Sequence, residues 1–482
     1  MKKSKFSRRA FVKGLGIAGG VSLLSSTIDA QVARKFLIQK RCKDVGAIIR
    51  KNIKNLTAAE LAAYKNGVAV MKARGALDPT SWTYQAAIHG HAPPLQIAWD
   101  TCQHNTTFFL SWHRMYLCFF ERILRKASGM PSLGLPYWNY SDSADPNARF
   151  LPVPFRSSVA NPLYDGTRNP TLNAGTGQLS AASVSLASVL PGPTGFYPFS
   201  GNINGTPHGA VHGQVGGNMT GFNTAGLDPI FWLHHCNIDR LWNRWLAGGG
   251  GRSNPPATDT TWHNTNFTFF DENGAQVQMK GADIVNPQSS MCRSCYDEEA
   301  VFVIWDLLPW PFKYIDIQIG FYRKPLVLDT RRLRFEMELN ERAKELFARV
   351  LQRTRPEDEL NFRLNFEGLR ADKPVDFFYE VYLNLPENVK EPNYRMESYA
   401  GNLSLFGADQ HSSKHDEKEE LKFGVNITNA VRKLRNLGAS QTLSVTLVPT
   451  GLVSRDEKRL PIRSDVKVSV EQITLSVQER EK

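Results

Sequence analysis

The 482-residue sequence lacks any apolar run long enough to span a bilayer, which takes about 20 consecutive apolar residues. Stable membrane insertion is therefore not expected. Internal repeats are absent too, which argues against a solenoid or a propeller. A strong charge of one sign is also missing. The formal net charge is +12, but six basic residues against one acid in the first thirty leave only +7 for the rest, where Lys and Arg are interleaved with acids. Nucleic acid is not an expected partner of such a surface. What remains is a globular composition on a chain longer than one core usually supports, so two domains are expected.

The amino terminus carries a signal of its own. Ser7-Arg8-Arg9-Ala10-Phe11-Val12-Lys13 precedes a Gly-rich, modestly apolar stretch from Gly14 to Ile28, with small residues for cleavage around Asp29 to Ala33. Twin arginines in this setting read as a twin-arginine export signal over residues 1–30. The expected destination is the periplasm or the medium of a bacterium. The six cysteines read as mixed in role. Cys118, in an apolar helical run, and Cys236, next to His235, are expected to be buried thiols. Cys292-x-x-Cys295 is either a tight disulfide or half of a zinc site with no second half, and Cys42 has no obvious partner.

In chain order, Thr57 with Glu60 forms a capping box opening a helix with Leu61, Tyr64, Val68 and Met71 at helical spacing. A second helix is expected from about Phe108 to Ala127, with Tyr116, Phe120 and Ile123 on an apolar face and Arg114, Glu121 and Arg125 on a charged back. A loop-like stretch rich in Gly, Pro, Ser and Asn reaches Gly205. From about Leu360 the pattern becomes alternating, with strands expected at 360–366, 376–385, 399–406, 442–448 and 466–477. The expected organisation is a mainly α catalytic domain over residues 31–297, built as a four-helix bundle. A connector at 298–355 and a smaller all-β sandwich at 356–482 follow.

Chemistry concentrates in the histidines. Eleven are present, and nine lie between residues 89 and 263. The stretch Leu227 to Trp245 places His234 and His235 on a helix started by Asp228 as cap and Pro229 at the first helical position. Adjacent helical residues point about 100° apart, so one of the two is expected to face a metal and the other to face elsewhere. His208 and His212, four apart, can reach one ion. His104 and His113, nine apart, converge only if His104 precedes the helix that carries His113. His89 or His91 can complete that set. The residues thus suggest two sets of three imidazoles, with no carboxylate within the motifs, a donor set suited to copper or zinc. A single zinc site would leave half of them without a role, whereas two copper ions a few ångströms apart could bind and activate O2.

Ala87-Ile88-His89-Gly90, Trp112-His113-Arg114, Pro136-Tyr137-Trp138-Asn139, His208-Gly-Ala-Val-His212 and Asp228-Pro-Ile-Phe-Trp-Leu-His-His235, with Ile238-Asp239-Arg240-Leu241-Trp242, together resemble the type 3 copper family of tyrosinases, catechol oxidases and haemocyanins. The strands at Tyr379–Pro386 and Tyr399–Phe406 resemble the β-domain of longer polyphenol oxidases. The resemblance implies a di-copper centre held by His89, His104 and His113 on one ion and His208, His212 and His235 on the other. His234 then stands beside the site. It implies O2 as co-substrate and a small phenolic substrate oxidised to an o-quinone, and a copper chaperone is a further expected partner. Cys102 matches the position that forms a thioether to the imidazole, here that of His104. Gly209, Gly213 and Phe231 are candidates for the substrate bowl, with Trp112 and Trp232 as further walls.

Two departures from the family stand out. Gly209 takes the place of an asparagine that many tyrosinases carry, and no acid lies between Gly195 and Pro207 to hold a water. Oxidation of o-diphenols or o-aminophenols is therefore the safer expectation than monophenol hydroxylation, and the rival class is a haemocyanin-like oxygen carrier. His411 and His415 read as a solvated loop, with copper delivery as the rival reading, and His263 as structural.

Overall fold

The computed structural model describes residues 47–480 except 91–100, 105, 157, 188, 191–193, 286–291, 293, 298–313, 352–359, 410–422, 434–441 and 464. The expected export signal, Cys42, His91, His411 and His415 lie outside the described residues. Among the described residues, no helix is long and apolar enough to cross a membrane.

The first half is helical. Thr57 caps α1 (Ala58–Ala73) through the expected capping box, accepting from the Glu60 N–H while the Glu60 carboxylate accepts from its own. Ser81 caps α2 (Trp82–His89). Helix α3 (Phe109–Ser128) ends at Gly129, whose φ of 71° releases the chain in the left-handed region that glycine adopts without strain. Among the helices that follow are α4 (Phe196–Ile203), α5 (Ala210–Val215) and α6 (Pro229–Ala247). Helix α3 packs against both α1 and α6, and Leu117, Phe120, Ile123, Leu124, Trp232 and Leu241 lie in the shared core.

Buried charge fixes these helices in register. Asp228 caps α6 by accepting from the Ile230 N–H, and it pairs with Arg168 at 2.6 Å with both side chains fully buried. Arg50 holds Glu121 at 3.0 Å and Asp239 at 3.1 Å, and Arg114 takes the other Asp239 oxygen at 2.5 Å. The expected charged back of α3 is thus not a solvated face. Glu121 is buried against Arg50, while Arg114 and Arg125 are partly buried and pair with Asp239 and with Glu121 of the same helix.

Two cysteine expectations are corrected. Cys118 is not a free thiol but is bonded to Cys292 across 174 residues. Cys292 therefore does not close on Cys295, which is in a disulfide of its own. Cys236 is a buried free thiol.

The second half is built on an antiparallel eight-stranded sheet, with a three-stranded sheet of Leu326–Leu328, Val468–Val470 and Arg370–Ala371 sharing its core. The strands of the larger sheet are β1 (Tyr314–Tyr322), β2 (Leu333–Leu339), β3 (Asn361–Glu367), β4 (Phe378–Leu383), β5 (Tyr399–Leu403), β6 (Phe423–Asn426), β7 (Thr442–Thr450) and β8 (Gln472–Arg480). Their order is β5-β4-β7-β2-β1-β8-β3-β6. The end strands β5 and β6 come side by side, so the sheet of the expected β-domain curls nearly closed around its core. Phe362, Leu364, Phe366, Leu443, Val445, Leu447, Leu475 and Val477 fill its interior.

The stretch expected as a connector contributes to this sheet. It holds β1, β2 and α7 (Glu341–Leu351), so the β-domain begins by Tyr314. The charged run there belongs to one face. Phe335 and Met337 point inward while Arg334, Glu336 and Glu338 point out.

A strap ties the two halves together. Val453–Ser454 pairs antiparallel with Gly177–Gln178, Gln214 Nε2 donates to Gly451 O, and Asn402 Nδ2 donates to Ala182 O at 2.9 Å. Arg149 pairs with Glu457 at its edge. This seats the β-domain directly over the histidines.

Candidate metal centre

Six short segments converge on one point. His89 is the last residue of α2, His104 lies ahead of α3, and His113 sits in its second turn. His208 lies in a wide helical turn, Asn204–Gly209, that leads into α5 and its His212. Helix α6 carries His234 and His235. His104 thus precedes the helix of His113, the one geometry in which that pair can meet. All seven imidazoles are buried.

The rings form two adjoining sets. His104 lies 5.0 Å from both His89 and His113, which are 5.6 Å apart, centroid to centroid. His208, His212 and His235 are separated by 4.6, 4.9 and 5.4 Å. The sets touch where His113 stacks on His235 at 4.4 Å and 8°. Three groups have ligand-capable atoms within 4.8 Å of one another: His208 with His212, His234 and His235; His89 with His113 and His235; and His89 with Cys102 and His104. His235 thus belongs to both halves. His234, expected to point away, also belongs to one. The 100° step along α6 separates the two side chains at their roots, but the arc of His208, His212 and His235 receives both. The Nδ1 of His234 lies 3.2 Å from the Tyr140 hydroxyl.

The backbone sets the tautomers. The Nδ1–H of His89 donates to Phe222 O at 2.8 Å, that of His113 to Phe109 O at 2.7 Å, that of His208 to Asn204 O at 3.0 Å and that of His212 to Met219 O at 2.7 Å. Each bond leaves Nε2 as the free lone pair. The Nε2 atoms of His89, His113 and His208 are buried with no hydrogen-bond partner, as are both nitrogens of His104. Nε2 of His212 faces Nε2 of His235 at 3.2 Å. So many bare acceptors turned on one another, with no carboxylate grouped among them in the described residues, fit a soft or borderline cation that accepts imidazole.

Electrostatics agree. Burial pushes His89 down to about 4 and His234 down to about 3. Burial first, and neighbouring imidazoles second, hold His104, His208 and His235 well below the usual histidine range, and His113 and His212 lie equally low. The rings are therefore neutral near pH 7, the form that binds a metal.

The β-domain closes the site. Phe406, just beyond β5, stacks on His212 at 3.9 Å and 23°, and meets His104 and His208 edge-on at 5.4 and 5.5 Å. Phe222 stacks on His104 at 4.6 Å and meets Phe406 edge-on at 4.7 Å. Ser404 fills the space over Gly209, where a Cβ would stand 2.1 Å from its Oγ. A cavity remains beside this cover, lined by His104, Gly209, Phe222, Phe406 and Arg363.

The expected bowl residues divide. Gly209 lines the cavity. Gly213 does not: it packs against the backbone of Val375 and Phe377 at the domain junction. Phe231 is fully buried beneath His89 and His235, at 4.8 and 4.2 Å, as a floor rather than a wall. Trp232 stacks on Phe120 in the core, and Trp112 is likewise buried, against Tyr116. Cys102 is buried and unbridged beside His104. His263 is structural, its Nε2 lying 2.9 Å from Pro255 O. Phe222 and Arg363 went unforeseen, since nothing in their local sequence marks them, and Ser404 and Phe406 were marked only as part of a β-domain strand.

Comparison with known proteins places these features. The common central domain of tyrosinase matches residues 79–187 and 181–248. A polyphenol oxidase middle domain matches 257–303, and a domain of unknown function matches 318–478. The tyrosinase HcTyr1 of Hahella sp. (strain CCB-MM4) is 31% identical over 492 residues, spanning 88% of this chain and 98% of that protein. The latent form of a chloroplastic polyphenol oxidase of Prunus armeniaca is 30% identical, over 82% of this chain and 71% of its own. Among solved structures, latent apple tyrosinase superposes with a TM-score of 0.59 at 22% identity, covering 89% of this chain and 97% of its own. A recombinant latent aurone synthase gives 0.63 at 22%, covering 90% of each.

Proposed function

The chain belongs to the tyrosinase and polyphenol oxidase family of type 3 copper proteins, which oxidise phenols, and from that premise we propose how its own residues divide the work. His89, His104 and His113 hold one copper, and His208, His212 and His235 hold the other. His234, steadied by Tyr140, lines the second set without being required as a ligand. The observation that carries this assignment is the convergence of six buried, neutral imidazoles, four of which (His89, His113, His208 and His212) have Nδ1 tied to a backbone carbonyl so that Nε2 is left free. Two copper ions, when bound, bind and activate O2 and accept the substrate's electrons. The protein contributes fixed, neutral imidazoles, a buried surround that excludes water, and an aromatic bed of Phe231 and Phe222. No side-chain nucleophile is needed.

The preferred reaction is oxidation of o-diphenols to o-quinones, with o-aminophenols as close analogues. Gly209 and the acid-free stretch before it support this over monophenol hydroxylation. When copper is loaded in the presence of O2, Cys102 would form a thioether with His104, the S–H and a ring C–H bond breaking and the two hydrogens passing to O2, which locks a ring that has neither nitrogen hydrogen-bonded. Intact-protein mass lower by two hydrogens after loading tests this. Phe406 covers the site in the intact chain, in keeping with relatives described as latent. Copper-loaded protein incubated with a catechol tests the function directly. Two coppers per chain and quinone absorbance are expected. Two coppers with no quinone, with and without the β-domain, would turn the reading to a haemocyanin-like oxygen carrier.

Ser7 to Lys13 supports export by the twin-arginine route to a bacterial periplasm, with the copper delivered by a chaperone. Cell fractionation of an Arg8→Lys, Arg9→Lys variant tests the route, and retention in the cytoplasm is expected.

A further inference from the structure

The cavity under the cover joins two unlike groups. At one end are His104, Phe222 and Phe406, and at the other is Arg363 of the β-domain. Arg363 lies on β3, where alternation sends Phe362 and Leu364 into the barrel and Arg363 outward. Glycines make room for it on both sides. A Cβ at Gly424 of β6 would stand 2.4 Å from its Nε, and one at Gly201 of α4 would stand 3.0 Å from Nη1. The guanidinium thus crosses β6 and reaches the helical domain between two bare backbones.

Its donors are unused. Among the described residues, Arg363 makes no hydrogen bond and no ion pair. Arg50 and Arg168, two fully buried guanidiniums of the helical domain, each grip a carboxylate. Burial pushes Arg363 down from its usual value, opposed by the charge of Asp316 on β1. A guanidinium has five N–H donors in a planar fork matched to a carboxylate, and this one, partly buried, lines the cavity with no protein acceptor among the described residues. The arrangement makes physical sense if the anion comes from outside.

We propose that Arg363 receives the carboxylate of a phenolic acid, so that the preferred substrates are o-diphenols bearing a carboxylate side chain. This rests on reading the histidine cluster as a phenol-oxidising copper centre. A substrate ring must take the place over His212 that the Phe406 ring now fills. The cavity runs from His104 past Phe406 to the guanidinium, so a substituent on that ring has a path to Arg363. A neutral catechol leaves the fork unfilled.

The test compares 3,4-dihydroxyphenylacetate with its methyl ester, which share the ring and its reach but not the charge. O2 consumption is measured in the full-length copper-loaded chain and again in the Phe406→Ala background, where the cover is open. The wild type is expected to favour the acid. Arg363→Gln is expected to lower the acid-to-ester ratio of kcat/KM about tenfold, through the KM of the acid, and Arg363→Lys to recover part of it. Thermal melting checks that each variant is folded. A ratio unchanged between wild type and Arg363→Gln would overturn the proposal. Benzoate separates a free carboxylate from the substrate's own. If Arg363→Gln weakens inhibition by benzoate but leaves the KM of the acid as it was, the site binds a free anion and the substrate-class proposal falls. Failure of the copper reading looks different: neither acid nor ester is then oxidised in either background.

Discussion

The histidine cluster and the loop that covers it are held in opposite ways. The cluster is keyed by its own neighbourhood. His113 and His208 each donate to a carbonyl four residues back, and His212 to one seven residues on. The cover comes from another domain and touches the cluster through stacked rings and shape, with Phe406 lying flat on His212 and Ser404 filling the space left by Gly209. Hydrogen-bonded tautomers are rigid, whereas a stacked ring can leave without unfolding anything. Reactivity is therefore built in locally, and access is controlled from a distance.

This contrast can be attacked from either side. The largest effect is expected at the cluster. His208→Ala should hold one copper per chain instead of two and oxidise catechol no faster than buffer, by metal analysis and O2 uptake. Two coppers retained would mean that His234 stands in as a ligand. Next comes acid. The unfolded chain's histidines, near 6.5, take up protons that the buried ones refuse, with His89 pushed down to about 4. Stability of the metal-free protein is thus full above about pH 6.5 and falls as the pH drops toward 4, by about 1.4 kcal/mol per pH unit for each such histidine. Urea melts at pH 7 and pH 5 measure this, and equal midpoints would refute buried neutral rings.

Smaller effects are expected at the cover. Phe406→Ala should raise kcat/KM of the intact chain for catechol by about tenfold, the factor that corresponds to about 1.4 kcal/mol of closure. An unchanged rate would show that the cover does not gate entry. Gly209→Ala should act in the same direction by only a few-fold, because the added Cβ would meet Ser404 and lift the loop. Ser404→Gly in the same chain should reverse it, and failure of that reversal would place the effect of Gly209 elsewhere.

The same division explains what could be read in the sequence. Helix α6, its Asp228 cap and the spacing of His208 and His212 were legible because helical periodicity and capping are properties of a few consecutive residues. The need for His104 to precede α3 followed from the nine-residue spacing to His113. That the β-domain caps the site could be anticipated, but the covering residue was not legible, because Phe406 acquires its role only when the sheet curls and the strap docks it. The Cys118–Cys292 disulfide was hidden for a similar reason: Cys292 and Cys295 look like a local pair, while the true partner is 174 residues away. Strand β2 could have been found. Leu333, Phe335, Met337 and Leu339 alternate, but the charges between them made the stretch look like a linker.

The strap has a consequence for how such a cover can be removed. Val453–Ser454 is zipped to Gly177–Gln178, and Arg149 and Gln214 hold the same edge, so the β-domain is fastened by contacts other than the chain that joins the two halves. Cutting that joining chain does not in itself free the site. It changes docking from a unimolecular equilibrium to a bimolecular one and removes an effective concentration of the millimolar order that a short tether provides. The nicked molecule should then behave as a reversible enzyme–inhibitor pair, whose open fraction rises on dilution and falls when the severed β-domain is added back.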